Sequence, residues 1–390
     1  MFTINTLAEY NPDIKQLIEK GYALSIESDY LVVRDVYYLD ENKNLQVGSL
    51  ISKIVDVDKK QIRLHDHQML FCGSHPCQMD GTPIRNMGGG PATLTLASDD
   101  LVVQRNFSHK PGNGYVDFFE KVETYVNIIC GPAIELYDTK AHPWTFRTVD
   151  VVEESVFKFR DTLTSRAEIG DLSAKFKDEV VVIIGLGGTG SYVLDFIAKT
   201  PVKEIRGFDF DSFHVHNAFR SPGKVQEDEL GKRKDEVYQK RYENFRYGVN
   251  LKSKKILLDS TEELQGVTFA FICVDKGSSR ADIIDVLIKL KIPFIDVGMG
   301  LDRKEGPISG MLRTVYFSRE DSQGTLEKNI VPLTDPEDDI YRNNIQISEL
   351  NALNACLAVI KFKQLKGFYT DDNLFYHTLF NLESLKVISE

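Results

Sequence analysis

The chain has 390 residues, of which 42% are hydrophobic and 27% are charged, and its formal net charge is −11. This length can supply two domains with separate cores, and the composition is ordinary for a soluble globular protein. The negative charge argues against broad binding of nucleic acid or anionic membranes. Residues 1–20 hold no signal-peptide core, and no apolar run elsewhere could span a bilayer. We therefore expect a cytoplasmic protein with neither nucleic-acid nor membrane partners.

Residues 1–150 are predicted to form a separate α+β domain that is mainly β. One segment, Tyr115–Leu136, has apolar residues at helical spacing. The strand candidates are Tyr22–Ser28, Tyr30–Leu39, Leu45–Val57, Met69–Cys72 and Ala92–Ala97. Nothing in this half alternates strand and helix or resembles a phosphate-binding loop. Its role is therefore not indicated by a motif, and we hypothesise that it binds a protein partner.

The cysteines and histidines of this half raise the question of zinc. Five scattered cysteines in the whole chain, with no C-x-x-C pair, do not form a disulfide framework. The candidate zinc ligands are His65, His67, Cys72, His75 and Cys77. Their residue types suit zinc, but a C-x₄-C spacing is not a standard structural zinc pattern. We favour buried thiols and loop histidines and leave zinc as the alternative.

The second half has a different pattern, which predicts an α/β domain. Residues 151–178 are predicted as a connector with a helix at Ala167–Phe176, and residues 179–390 as a domain of alternating strands and helices. Such alternation predicts a doubly wound, mostly parallel sheet. Its predicted strands are Val180–Ile184, Glu204–Phe208, Lys254–Leu258, Val267–Val274, Ile292–Val297 and Met311–Phe317. Its predicted helices are Ser191–Lys199, Lys232–Phe245, Arg280–Leu290 and Ile345–Leu365. A polar loop, Arg319–Asn344, precedes the last helix, and a hairpin at Leu374–Ile388 ends the chain.

A glycine-rich turn follows the first strand of this domain. The residues Gly185, Gly187, Gly188 and Gly190 lie between an apolar β-branched strand and a helix. Glycines let the backbone approach phosphate oxygens, and the N-terminus of a helix stabilises an anion. Asp209 follows Gly190 by 19 residues, where an acidic side chain binds ribose hydroxyls. Up to this point a NAD-dependent oxidoreductase fits equally well.

The cations that follow favour a different reaction. Arg220 and the segment Gly231–Lys234 place positive charge after the second strand. Hydride transfer does not need cations around the phosphates, whereas attack on the α-phosphate of ATP does.

These motifs together resemble the ubiquitin-activating superfamily of the ThiF/MoeB type, in a bacterial ThiF-like subgroup with an extra N-terminal domain. The matching residues are the glycine loop, Asp209, Asp211, Asn217, Arg220, Gly231–Lys234 and Asp275. The resemblance covers about residues 160–388. It implies a Rossmann-like adenylation domain that uses ATP and Mg²⁺, a crossover loop at about 319–344, and a homodimer.

The resemblance also implies roles for the cationic residues. Arg220 and Lys234 would neutralise the triphosphate, and Arg166 would reach the ATP of a partner subunit. Lys232 competes with Lys234 for the lysine role, because the preceding loop is one residue longer than the family spacing.

The carboxylate and amide residues complete the implied site. Asp275 would bind Mg²⁺, Asp209 would accept hydrogen bonds from ribose, and Asn217 would orient a phosphate or a metal-bound water. Asp211 is assigned to nucleotide binding without a more specific role.

The implied reaction is adenylation of the C-terminal carboxylate of a ubiquitin-like or sulfur-carrier-like protein, for transfer or conjugation. A ubiquitin-conjugating-enzyme-like protein is the further partner considered. The chain lacks the C-x-x-C zinc pairs of the family and a cysteine between Asp275 and the last helix, and Cys273 and Cys356 are predicted to be buried thiols. The alternatives are a catalytically silent nucleotide-binding scaffold and a NAD-dependent oxidoreductase.

Overall fold

The computed structural model describes residues 4–27, 29–57, 61–96, 101–149, 155–159, 161, 163–164, 167, 169–303, 306–335, 345–372 and 375–389. The chain divides into two compact units. Unit 1 consists of Met1–Glu154 and Phe159–Asp171, and unit 2 consists of Ser155–Lys158 and Leu172–Glu390. The predicted connector, residues 151–178, is thus shared between the units. Within the described ranges, no helix combines the length and apolarity needed to cross a lipid bilayer.

Unit 1 is built on an antiparallel sheet of seven strands in the order β1-β2-β3-β5-β7-β6, with β4 paired to β3. The strands are β1 (Leu24–Glu27), β2 (Tyr30–Leu39), β3 (Leu45–Asp56), β4 (Ile62–Leu64), β5 (Met69–Cys72), β6 (Gly90–Thr95) and β7 (Val102–Phe107). The helices are α1 (Ile4–Ala8), α2 (Pro12–Lys20) and α3 (Phe118–Tyr137), followed by a 3₁₀ helix at Asp138–Ala141. The prediction of a separate, mainly β N-terminal domain is confirmed.

The core of unit 1 lies between this sheet and α3. The side chain of Asp117 accepts the backbone N–H of Glu120 at 2.9 Å and caps the start of α3. Val122 and Ile129, on the buried side of α3, belong to one cluster with strand residues such as Val33. The helix follows from this 3.6-residue spacing of apolar side chains.

One charged side chain is enclosed in this core. Lys121 of α3 is fully buried, and its Nζ donates to Ser52 Oγ at 2.8 Å and to the carbonyl oxygen of Asp66 at 3.0 Å. Burial disfavours the ammonium form and lowers the pKa of Lys121 from 10.5 to about 8, although the Asp66 carboxylate acts in the opposite direction.

Unit 2 is built on an eight-stranded mixed sheet in the order β10-β9-β8-β11-β12-β13-β14-β15. The strands are β8 (Val180–Ile184), β9 (Glu204–Phe208), β10 (Val249–Lys252), β11 (Phe269–Ile272), β12 (Phe294–Asp302), β13 (Ser309–Phe317), β14 (His377–Asn381) and β15 (Lys386–Ser389). The pairs from β10 to β12 are parallel, and those from β12 to β15 are antiparallel. The prediction of a Rossmann-like, mostly parallel sheet is confirmed.

Helices cover this sheet on both faces. They are α5 (Gly188–Ala198), α6 (Val215–Ala218), α7 (Lys234–Glu243), α8 (Gly277–Lys289), α9 (Ser322–Glu327) and α10 (Ser348–Leu365), with a short α4 (Gly170–Ala174) before β8 and a 3₁₀ helix at Glu227–Glu229. Ile183 packs in one core cluster with Leu194 of α5, and Val182 packs in another with Ile284 of α8. Both faces of β8 are therefore buried, which explains its uninterrupted apolar sequence.

The structure corrects four predicted elements. The strand predicted at Lys254–Leu258 is wrong. The paired strand is β10, and in the later segment Leu257 and Leu258 are exposed. The helix predicted at Ala167–Phe176 is limited to α4. The helix predicted from Lys232 begins at Lys234, because Arg233 is extended. The polar loop predicted at 319–344 contains α9, and its residues 336–344 lie outside the described residues.

A buried arginine holds the far end of α5. Arg246 is almost fully buried, and its Nη1 donates to the carbonyl oxygens of Ile197 at 3.4 Å and of Thr200 at 2.9 Å. Burial lowers the pKa of Arg246 from 12.5 to about 10. These bonds satisfy carbonyl groups that the end of a helix leaves without intrahelical partners.

Candidate functional site

The glycine loop joins the carboxyl end of β8 to α5. Gly185 has a φ of +94°, in the left-handed region that favours glycine, and its N–H donates to the Phe208 carbonyl at 2.8 Å. A Cβ on Gly190 would lie 1.8 Å from the carbonyl oxygen of Gly185, so glycine is needed for α5 to begin this close to the loop. A Cβ on Gly187 would meet nothing within 4 Å. The N-terminus of α5 thus adjoins open space, where an anion would be stabilised.

The side chain of Asp209, which is buried just after β9, forms a hydrogen bond with this loop. Its Oδ2 accepts the backbone N–H of Leu186 at 2.7 Å, and its Oδ1 accepts the backbone N–H of Asp211 at 2.8 Å. A carboxylate offers about four acceptor positions, so these bonds leave capacity for hydroxyl donors. Asp209 therefore connects the ends of two neighbouring strands at the edge where α/β proteins bind ligands.

Of the two candidate lysines, Lys234 lies with the acidic pair. It is buried at the start of α7, and its Nζ is 2.9 Å from Asp211 Oδ2 and 3.4 Å from each carboxylate oxygen of Asp209. Lys232 instead pairs with Asp228 at 3.0 Å on the exposed surface. The structure thus brings Lys234 to the glycine loop through Asp209, and leaves Lys232 outside this cluster.

Arg220 adds a cation with an unused donor. Its Nε is buried and has no hydrogen-bond partner in the described part of the chain. Burial lowers the pKa of His216, and the charges of Arg220, His214 and Lys234 lower it further. Arg220, His214 and Lys234 are therefore all within electrostatic reach of His216. Such a group favours a polyanionic ligand.

Asp275 lies in the loop between β11 and α8, at the carboxyl edge of the sheet. Gln346 Nε2 donates to its Oδ2 at 3.1 Å and to its Oδ1 at 3.3 Å. Although Asp275 is open to solvent on one side, the protein that surrounds its carboxyl group raises its pKa. Arg220, Gln346, Arg280 and Lys234 oppose this increase. Asp275 is thus a further acidic side chain within electrostatic reach of Arg220 and Lys234.

Gln346 is a site residue that the sequence did not reveal. Its Oε1 is buried without a hydrogen-bond partner among the residues described, and it belongs to the amide that contacts Asp275. Carboxylate and amide oxygens are both ligands that Mg²⁺ accepts, although in the structure it is the amide nitrogen of Gln346 that faces Asp275. The residues present therefore fit a magnesium ion at this position.

The remaining predicted residues occupy different surroundings. Asn217 is buried, and its Oδ1 accepts the backbone N–H of His214 at 2.8 Å, which fixes the start of α6. The carboxylate of Asp211 is largely exposed and pairs with Lys234. Arg166 lies outside the described residues.

A second unpredicted contact comes from α10. The amide of Asn351 accepts Thr189 Oγ1 at 2.9 Å, and a Cβ on Gly188 would lie 2.4 Å from its Nδ2. Glycine at 188 thus lets the glycine loop pack against α10. No local sequence signal connects Asn351 with Gly188, because only the tertiary fold brings these residues together.

The candidate zinc ligands of unit 1 have other partners. His67 Nε2 bonds to Ser108 Oγ at 2.9 Å, and His75 Nε2 bonds to the Ile84 carbonyl at 3.3 Å. Among the residues that the structure describes, no group of three or more histidine, cysteine or acidic side chains could hold a metal ion. In unit 2, Cys273 and Cys356 are half-buried rather than buried as predicted. Desolvation still raises the pKa of both thiols, which makes them poor nucleophiles.

Two family models match the chain in succession. Residues 12–162 match a domain of unknown function, DUF6791, and residues 164–357 match the ThiF family. Residues 164–357 form a ThiF-family domain. The ThiF domain contains the glycine loop, Asp209, Arg220, Lys234 and Asp275, so the whole cluster described above falls inside the matched segment.

Several solved structures are similar to this chain over part of its length. The crystal structure of selenomethionine PaaA is 16% identical, with a TM-score of 0.44, over 56% of this chain and 75% of that one. Escherichia coli MccB with ATP is 17% identical, with a TM-score of 0.42, over 56% and 64% of the two chains. The E. coli tRNA N6-threonylcarbamoyladenosine dehydratase TcdA, in complex with ATP, is 19% identical, with a TM-score of 0.40, over 52% and 92%.

Proposed function

We propose that the ThiF domain uses ATP to adenylate the C-terminal carboxylate of a ubiquitin-like or sulfur-carrier-like protein and so activates it for transfer or conjugation. One observation carries the proposal. A glycine loop open to an anion, a cluster of basic side chains around Arg220, and the carboxylate of Asp275 meet at one edge of the sheet. Family membership of residues 164–357 supports the same reaction class.

The proposed chemistry joins two anions. A carboxylate oxygen of the tail forms a bond to the α-phosphorus of ATP, the bond from this phosphorus to the bridging oxygen of the β-phosphate breaks, and pyrophosphate leaves with that oxygen. The product is an acyl adenylate. Because the reactants repel each other, stabilisation of negative charge accounts for most of the catalysis. Arg220 and Lys234 would supply this stabilisation, and Asp209 would hold the ribose.

Magnesium fits beside these cations. Asp275, with the amide oxygen of Gln346, would hold the ion, which when bound neutralises charge on the phosphates. Asn217 would steady the segment that carries Arg220, since its side chain fixes the start of α6.

Transfer after adenylation is proposed to be direct. Cys273 and Cys356 are half-buried, and desolvation raises the pKa of both thiols, so a thioester on either is unfavourable. A ubiquitin-conjugating-enzyme-like protein is a partner that could take the activated tail, and unit 1 would bind such a protein.

The proposal includes a homodimer. Val215 and Phe219, beside Arg220, are 58% and 78% exposed, and exposed apolar side chains next to a site favour contact with another chain. Arg166 would then act on the ATP of the partner subunit.

Pyrophosphate exchange into ATP, driven by a candidate tail protein, tests the function. We expect Asp275→Ala to abolish exchange while the protein stays folded, because Asp275 is exposed and its described side-chain bonds are to the amide of Gln346. Asp285→Ala, at an exposed position on α8, is the matched control and should exchange normally. Unchanged exchange in Asp275→Ala would remove Asp275 from the site. Nucleotide binding by wild type without any exchange would favour a silent scaffold.

A further inference from the structure

A fully buried carboxylate in unit 2 is held between two arginines. Asp296, on β12, has no solvent exposure. Its Oδ1 accepts Arg280 Nε at 2.8 Å, and its Oδ2 accepts Arg313 Nη2 at 2.6 Å. The three side chains come from β12, α8 and β13. A Cβ on Gly298 would lie 2.7 Å from Arg313 Nη2, so glycine at 298 leaves room for this guanidinium.

The free ends of both guanidinium groups bind loop backbone. Arg280 Nη2 donates to the carbonyl of Val274 at 2.6 Å, and Arg280 Nη1 donates to the carbonyl of Pro332 at 3.1 Å. Arg313 Nη1 donates to the carbonyl of Ile330 at 3.0 Å. One guanidinium therefore connects the buried carboxylate to the peptide group that immediately precedes Asp275.

The chain segment that contains Ile330, Pro332 and Asp335 also contacts the start of α8. A Cβ on Gly277 would lie 2.3 Å from the carbonyl oxygen of Thr334, and Asp335 accepts Ser278 Oγ at 2.5 Å. The loop that carries Asp275 is thus held by Val274 on one side, and by Gly277 and Ser278 on the other.

Fold stability alone is a weak reason for such a group. Two buried charges, Asp296 and Arg280, carry a large desolvation cost, and Arg313 is also mostly enclosed. Apolar replacements of similar volume are often as stable. A guanidinium that binds both a fixed carboxylate and the carbonyl of Val274 does something that an apolar side chain cannot do. It sets the position and direction of the peptide that leads into Asp275.

We infer that Arg280, Asp296 and Arg313 are positioning residues for the oxygen ligands of the adenylation site, and act through Asp275. This inference rests on the proposed function, because Asp275 is there assigned to Mg²⁺. The partners that orient a ligating carboxylate typically change metal affinity by 10- to 100-fold when they are replaced. Metal affinity should therefore respond to Asp296 although this side chain touches neither metal nor nucleotide.

The test uses the full chain and Mn²⁺ as the probe, with free Mn²⁺ measured by electron paramagnetic resonance in the presence of ATP. Asp296→Asn keeps the shape of the side chain and removes its charge. We expect its dissociation constant for Mn²⁺ to rise by about 10-fold or more, while ATP affinity in a metal chelator stays within about twofold. Arg280→Lys keeps the charge but loses the fork that spans Asp296 and Val274, and it should show the same pattern.

Asp371→Asn is the matched control. It removes a half-buried carboxylate that pairs with Lys361 at 2.8 Å, and among the described residues this pair includes none of the site. It should leave Mn²⁺ and ATP affinity unchanged. If Asp296→Asn does not fold, Arg280→Lys decides the question.

The inference is overturned if Mn²⁺ affinity stays at the wild-type value in Arg280→Lys, or if ATP affinity in chelator falls by the same factor as Mn²⁺ affinity. Its failure is distinct from failure of the proposed function. Wild-type protein that binds Mn²⁺ with ATP but gives no tail-driven exchange would reject the function, and the two variants would still test the positioning role.

Discussion

Replacing Lys121 with methionine should remove a specific pH dependence from the stability of unit 1. The ammonium group is fully buried with two hydrogen-bond partners, and burial lowers the pKa of Lys121 from 10.5 to about 8. In the unfolded chain the pKa returns to its ordinary value. Between these two values the unfolded state binds a proton that the folded state has released, so the free energy of unfolding rises with pH.

The size of the effect follows from the two pKa values. Each pKa unit corresponds to about 1.4 kcal/mol, so a change from 10.5 to about 8 makes wild type gain about 2.5 kcal/mol between pH about 7 and about 10 relative to Lys121→Met. Below pH about 8 the buried ammonium is charged, and its burial lowers the free energy of unfolding by the full amount. Above this pH the folded state loses the proton and the destabilisation decreases. Tyrosines of unit 1 titrate in both proteins, so their contribution cancels in the difference.

The assay is urea unfolding followed by tryptophan fluorescence. The chain has a single tryptophan, Trp144, which packs against the core of unit 1 and therefore reports this unit alone. The free energies of unfolding of wild type and Lys121→Met are compared at several pH values. Parallel pH profiles for the two proteins would show that Lys121 keeps an ordinary pKa and that the reasoning is wrong.

Three further predictions concern unit 2. Arg220→Ala should slow adenylation at least about 100-fold, measured as pyrophosphate exchange, because one preorganised charge is lost; a smaller effect would place Arg220 outside the reaction. Lys234→Ala should cost a similar factor in the same assay and Lys232→Ala much less, since only Lys234 contacts the acidic pair; the reverse order would mean that the longer loop has been misaligned. Cys273→Ala combined with Cys356→Ala should preserve adenylation and transfer; a reductant-sensitive adduct in wild type that the double variant lacks would contradict direct transfer.

The elements that local pattern determines were predictable. The uninterrupted apolar run of β8 and the glycines after it define a strand and a phosphate-type turn, and the structure has both. The prediction failed at Lys254–Leu258, where an apolar run resembles a strand. There Ile256 is buried in the core while Leu257 and Leu258 are exposed, so burial of one side chain, not sheet pairing, explains the pattern.

The neighbours of the site were harder to predict than its motifs. Gln346 lies just before α10 and Asn351 lies in its first turn. Their partners, Asp275 and Thr189, are far away in sequence. Lone amides carry no spacing signal, so no local pattern singles them out. Lys121 is a similar case, because a lysine in an amphipathic helix is normally solvated and only the completed core shows that it is buried.

The capping of α5 by Arg246 has an electrostatic consequence for the opposite end of that helix. A helix carries about half a positive charge at its N-terminus and half a negative charge at its C-terminus. The guanidinium of Arg246 offsets the negative partial charge at the C-terminus of α5. The electrostatic potential at the glycine loop is therefore more positive than it would be without Arg246. Because the pKa of Arg246 stays near 10, this compensation persists throughout the neutral pH range. Any pH dependence of anion affinity at the loop must therefore come from groups beside it, such as His216, whose pKa is lowered by burial and by the charges of its basic neighbours.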